Sequence, residues 1–168
     1  EKAGEGIRGW RSRAWSGETN TQWRVESPGR TGKQCVSIGS EKGADAAWTT
    51  TVTVERNTFY RLSGWIKTKD VRGALGALLN VQNMPDAKTV AVSGTRDWTR
   101  VSTVFHSAAA TELEVNCLFG GWGQSTGQAW YDDVSLERLE SQPNGTQATV
   151  TIDTGAHSIT YSPMIFGG

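Results

Sequence analysis

The sequence is poor in the residues from which local catalytic and metal motifs are built. Its 168 residues hold two histidines, His106 and His157, and two cysteines, Cys35 and Cys117. No GxSxG, HExxH, CxxC or phosphate-binding loop occurs, so no local motif marks a nucleophile, a zinc centre, a redox dithiol or a nucleotide site. Two cysteines allow at most one disulfide in an exported protein; equally, they can be two buried thiols acting as small apolar side chains. No apolar run approaches the ~20 residues of a membrane-spanning helix. An excess of one charge is missing too. Lys plus Arg and Asp plus Glu number 17 each, which argues against nucleic acid and against an anionic membrane as partners.

What remains is a chain rich in glycine (20) and tryptophan (8, against three Tyr and four Phe). Together with many Thr and Val, the glycines predict short strands and tight turns rather than helices. The length fits one domain with a real core and a tail. A sandwich core uses several tryptophans but does not need eight, so some are candidates for a ligand.

Apolar and polar residues alternate through much of the chain. Val36 and Ile38, then Val52 and Val54, mark two early strands. Phe59 to Lys67 alternates most cleanly, with Tyr60, Leu62, Gly64 and Ile66 on one face and Arg61, Ser63, Trp65 and Lys67 on the other. Ala74 to Gln82 sets Leu75, Ala77, Leu79 and Val81 opposite Leu78, Asn80 and Gln82; Arg100 to Phe105 sets Val101, Thr103 and Phe105 opposite Arg100, Ser102 and Val104. The stretch Leu113 to Leu136 predicts a hairpin whose glycine-rich loop holds up Trp122, with Trp130, Val134 and Leu136 on one face of its second strand. Residues 1 to 24 show no periodicity and predict irregular chain with Trp10, Trp15 and Trp23 plugging one end of the core. Trp15, flanked by small residues, has the weakest case for burial. The expected fold is all-β, a two-sheet antiparallel β-sandwich of jelly-roll type.

Hydrolysis of glycosides needs two carboxyl groups flanking one bond. Asp132 and Asp133 are adjacent, so in a regular strand they point to opposite faces and suit a cation better; hydrogen-bonded or solvated acids at a strand end remain the alternative. The polar faces fit a sugar ligand, whose C–H faces stack on aromatic planes and whose hydroxyls need amide, guanidinium and hydroxyl partners. The stacking candidates are Trp65 and Trp122. The hydrogen-bonding candidates are Arg61, Asn80, Gln82 and Asn116. Trp65, standing among Arg, Ser and Lys, either packs under long side chains or offers itself to the ligand. Alternation does not say which of these residues share a sheet.

The ordered run of GRTGKQCVSI, GADAAW, NTFYRLSGWIKT, GTRDWTRVSTVF and GQAWYDDVSLE resembles the carbohydrate-binding modules of family 4 and its relatives, families 9 and 22, over about residues 9 to 139. The resemblance implies a jelly-roll module without catalytic activity, attached to a secreted glycoside hydrolase and binding plant cell-wall polysaccharide such as xylan, arabinoxylan or β-glucan. It also implies a structural Ca²⁺ held by carbonyls of the Gly32-Lys33 turn and by Asp132 or Asp133. In some relatives a tryptophan placed like Trp48 is a sugar platform, whereas alternation puts Trp48 with Val52 and Val54 toward the core. The family's first strand would lie before this chain begins. A second resemblance, TVTIDTGAHSITYSPMIFGG, is to the opening of family 51 α-L-arabinofuranosidases. Residues 1–140 are thus expected to form the module, 141–147 a linker and 148–168 the first strand of a following hydrolase domain. A structural spacer that packs on the catalytic domain without binding glycan is the alternative.

Overall fold

The computed structural model describes residues 8–141; the expected linker and tail, with His157 and the second resemblance, lie outside the described residues. Eight strands form, in the order β1 (Arg11–Ser16), β2 (Thr21–Glu26), β3 (Cys35–Thr53), β4 (Phe59–Gly73), β5 (Gly76–Val81), β6 (Gly94–His106), β7 (Glu112–Gly120) and β8 (Ser125–Leu139). A single 3-10 turn, Glu18–Asn20, links β1 to β2. The opening stretch expected to be irregular therefore contributes two strands. The runs read as separate strands around Val36 and Val52 are one 19-residue strand, β3.

That strand joins the two layers. Its first part, Val36 to Ser40, lies between β2 and β8; its second, from Asp45 onward, lies between β1 and β7. The register breaks between Ser40 and Ala44, where the strand passes from one sheet to the other. The front sheet runs β1, β3, β7, β5, and the back sheet runs β2, β3, β8, β4, β6, all antiparallel. Residues Lys88 to Val92 lie along the open edge of β5, joined to it by isolated bridges at Lys88 and Val92 and by the Thr89 amide donating to the Leu79 carbonyl at 2.9 Å.

The pairing corrects the hairpin reading of Leu113 to Leu136. β7 pairs with β3 and β5, whereas β8 pairs with β3 and β4, so the glycine loop crosses between sheets instead of turning back within one. β8 also carries a bulge: Trp65 faces Asp132 while Ser63 faces Ser135, and Asp133 takes a φ of 49°. The extra residue puts Tyr131, Val134 and Leu136 on the core side and leaves Trp130 outside, which separates Trp130 from the face predicted for it.

The core lies between the sheets and contains the predicted alternating sets: Tyr60, Leu62 and Ile66, then Ala77, Leu79 and Val81, then Val101 and Phe105. Three polar bonds also connect parts of the two sheets. Trp48 Nε1 donates to the Ser37 carbonyl at 3.0 Å, Trp23 Nε1 to the Ala47 carbonyl at 3.1 Å, and Tyr131 Oη to the Leu118 carbonyl at 2.6 Å. Each gives a buried polar tip a partner and adds about 1 kcal/mol net. Cys35 and Cys117 are both buried free thiols; burial raises both pKa values, that of Cys35 to about 11.

Candidate functional site

The outer face of the front sheet brings together a patterned set of side chains. Residues that are neighbours across the sheet form two rows: Arg13, Ala47, Leu118 and Leu78, then Arg11, Thr49, Asn116 and Asn80. Ala47, Leu78 and Leu118 pack into a small apolar floor of their own. The second row is tied by side-chain hydrogen bonds. Thr49 Oγ1 donates to Asn116 Oδ1 at 2.8 Å, and Asn116 Nδ2 donates to Asn80 Oδ1 and Gln82 Oε1, each at 3.2 Å. Asn116 is fully buried and both its amide hydrogens are used, so its role is to position Asn80 and Gln82. With its oxygen turned to Asn116, Asn80 has an amide nitrogen without a partner among the described residues, and it lines the hollow above. On the next row Glu114 accepts from both Arg11 and Arg13.

Two indoles flank this floor. Trp15, near the end of β1, is 40% exposed, with the Arg13 guanidinium 4.6 Å from its ring. Trp122, on the crossover, is 67% exposed and has a φ of 58°, a left-handed conformation uncommon for so bulky a residue. The loop can present it because Gly120 brings backbone close: a Cβ there would stand 2.5 Å from the Gly123 carbonyl and 2.7 Å from that of Ala44. Asp45 holds the loop from below, its Oδ1 accepting the Gly121 amide at 3.2 Å. Burial pushes the Asp45 pKa up, and the Gly121 and Gly123 amides only partly offset this. Between the indoles lies a hollow of about 430 Å³, lined also by Asp45, Asn80, Met84 and Leu118. A second hollow of about 410 Å³ shares Gln82 and Asn83 with it and extends the groove toward Glu114. Stacking planes, an apolar floor, amides and a carboxylate together suit a pyranose chain.

The predicted site residues separate onto three surfaces. Trp122, Asn80, Gln82 and Asn116 belong to this face. Trp65 and Arg61 face out from the back sheet: Trp65 lies under the Arg30 guanidinium, 3.5 Å from its ring centroid, and Arg61 pairs with Glu137 at 3.1 Å. Trp48 is in the core at 6% exposure, as alternation favoured, because β3 turns it inward between the layers. Trp15 and Asp45 were missing from the candidates. The small neighbours of Trp15 were a signal for it; nothing local marks Asp45.

The Asp132–Asp133 pair does not diverge as a regular strand requires, because the bulge turns both toward the turn between β2 and β3. Asp132 Oδ2 accepts the amides of Arg30 at 2.6 Å and Thr31 at 3.2 Å; Asp133 accepts from the Thr31 hydroxyl and, at 2.8 Å, from the Arg30 guanidinium. Calcium takes about 6–8 oxygen ligands. The groups facing these carboxylates are mainly N–H donors, with a cationic side chain on Asp133, and Lys33 is an exposed residue of the same turn. This donor set fits a hydrogen-bonded clamp and not a calcium site. Elsewhere, His106 packs on Phe59 and its Nδ1 accepts the Ala108 amide at 3.2 Å.

An antiparallel β-sandwich with an indole-flanked face on one sheet defines a class of architecture rather than a chemistry. No family profile and no curated protein matches this chain. Solved structures do match it in fold. TmCBM61 in complex with β-1,4-galactotriose is 17% identical with a TM-score of 0.53, covering 79% of this chain and 90% of its own. A CBM4 module is 16% identical at 0.53, covering 77% and 86%. The CBM22-1 xylan-binding domain of Xyn10C from Paenibacillus barcinonensis is 16% identical at 0.52, covering 82% and 91%. The chain thus has the jelly-roll sandwich fold found in carbohydrate-binding modules.

Proposed function

We propose that this chain is a non-catalytic glycan-binding module whose ligand lies across the outer face of the front sheet, between Trp15 and Trp122. The observation that carries the reading is the exposure of Trp122 in a left-handed backbone conformation beside a hollow lined by Asn80. A large apolar side chain held in water at a conformational cost is the pattern of a binding residue. The similar structures include a galactotriose complex and a xylan-binding domain, which supports a β-1,4-linked chain as the ligand class. Plant cell-wall xylan, arabinoxylan or β-glucan are the polysaccharides proposed. The module would be secreted and would hold an attached glycoside hydrolase, of the α-L-arabinofuranosidase type suggested by residues 148–168, on its substrate. A CBM22-1 module joined to a GH10 module is among the similar structures, which supports such a linkage.

Affinity electrophoresis against arabinoxylan, unsubstituted xylan, β-glucan, β-1,4-galactan and cellulose tests the reading. Retardation by at least one glycan is expected, with W15A and W122A each relieving it. Retardation by none would overturn it in favour of a structural spacer.

A further inference from the structure

The back sheet carries a second cleft, on the opposite side of the sandwich from the Trp15–Trp122 groove. It has a volume of about 470 Å³, within the ~300–1,000 Å³ of ordinary ligand pockets. Its floor combines backbone and side chain. Gly39 of β3 pairs with Gln128 of β8, whose side chain lies across it with Cγ 3.5 Å from where a Gly39 Cβ would stand, and the adjacent pair is Ser40 with Gly127. Gly127 is needed there for close approach, since a Cβ would lie 2.5 Å from the Asp70 carbonyl where β4 bulges over it. The hollow follows from the two strand irregularities, Ser40 to Ala44 in β3 and Lys69 to Arg72 in β4.

Three cations stand around this floor: Arg24 from β2, and Lys69 and Arg72 from β4. None of them takes part in a salt bridge among the described residues. Arg24 donates to the neutral Gln22 Oε1 at 2.6 Å. The acids present are Glu41 and Asp70. A further carboxylate on this face, Glu26, is occupied with Ser37, Gln128 and Trp130, which donate to it at 2.6, 3.1 and 2.9 Å. The cleft therefore holds three cations outside any salt bridge among the described residues, beside the Gln22 amide and the Thr126 hydroxyl.

The geometry points to a second binding site in this cleft, for an oligosaccharide carrying uronic-acid carboxylates. Guanidinium groups pair with carboxylates through two parallel hydrogen bonds, and a lysine adds a point charge. The remaining polar groups match sugar hydroxyls, which a simple inorganic anion lacks. Two acids among the three cations disfavour a polyphosphate backbone. A ligand with spaced, single charges can place its carboxylates beside the cations and its hydroxyls beside the acids. This site shares no residue with the front groove and does not depend on that groove binding glycan.

Calorimetric titration of the full chain at low salt, with tetragalacturonate and with a xylo-oligosaccharide bearing one glucuronic-acid branch, tests the proposal. At least one of the two is expected to bind, and comparing them separates a charged main chain from a charged branch. Exposed ion pairs are worth up to about fivefold each, so K69A/R72A should raise Kd severalfold, to at most about 25-fold. Salt at ~1 M, where the screening length is ~3 Å, should weaken binding similarly. Carboxyl-reduced tetragalacturonate should not bind at this cleft, and W15A/W122A should bind both uronates like the wild type. Failure of both uronates to bind, or binding indifferent to K69A/R72A, would overturn the site. So would loss of uronate binding in W15A/W122A, which would assign the charged sugar to the front groove. Neutral-glycan retardation by the wild type, abolished only in W15A/W122A, reports on the front groove separately.

Discussion

Replacing Trp122 by alanine separates binding from folding better than any other single change. A tryptophan presents up to about 250 Å² of surface. With Trp122 67% exposed and one ring face turned to a ligand, about 80 Å² leaves water when a sugar stacks there. At ~25 cal/mol per Å² that is about 2 kcal/mol, or about thirtyfold in Kd. Little of the side chain is buried in the free protein, and alanine at a positive φ keeps the same backbone difficulty, so thermal stability should stay within a few degrees. Trp65 is the matched control, because it lies on the back sheet under Arg30. W65A should lose stability and leave front-groove binding unchanged. Titration calorimetry with a xylo- or gluco-oligosaccharide, beside thermal melts of both variants, reads the difference. If W122A bound with unaltered Kd while W65A weakened binding, the ligand would lie on the back sheet and the assignment of the groove would be wrong.

Two other changes probe the supports of that face, and a chelator and R30A probe the clamp on the back sheet. N116A removes three side-chain hydrogen bonds at a fully buried position, and at about 1 kcal/mol each it should lower the melting temperature by roughly 10 °C. Asp45 has its pKa raised by burial, so in the folded state its ionised form is disfavoured: its contribution is fully present below the unfolded value near ~3.9 and is lost as pH rises through the raised folded value. D45N keeps an acceptor for the Gly121 amide without the charge. It should therefore gain stability relative to the wild type at pH 7, and the gain should shrink as pH falls toward 4; a gain that grew on acidification would refute the sign. A chelator should leave the melting temperature unchanged, whereas R30A, which releases Asp133 and uncovers Trp65, should lower it by a few degrees.

Much of the sandwich was legible because alternation at period two is imposed by burial itself. Tyr60, Leu62 and Ile66 face the core in the structure as their spacing requires, and so do Ala77, Leu79 and Val81, opposite Leu78, Asn80 and Gln82. Periodicity assigns faces but not partners. For that reason Leu113 to Leu136 reads as a hairpin, although long-range pairing sends β7 to the front sheet and β8 to the back. It likewise gave no way to see that Trp65 and Trp122 lie on different sheets. The bulge at Asp133 depends on the strand that β8 meets, so the convergence of both aspartates on Arg30 and Thr31 is invisible in the dipeptide.

The amino-acid sequence by itself determined an all-β chain, its core-facing sets, and a tryptophan raised on glycines, because these follow from local sterics and from the two-residue repeat of a strand. Only the tertiary structure decided that Trp15, Asp45 and Trp122 surround one hollow. They come from β1, β3 and the β7–β8 crossover, and meet only because β3 passes from one sheet to the other and carries its neighbours with it.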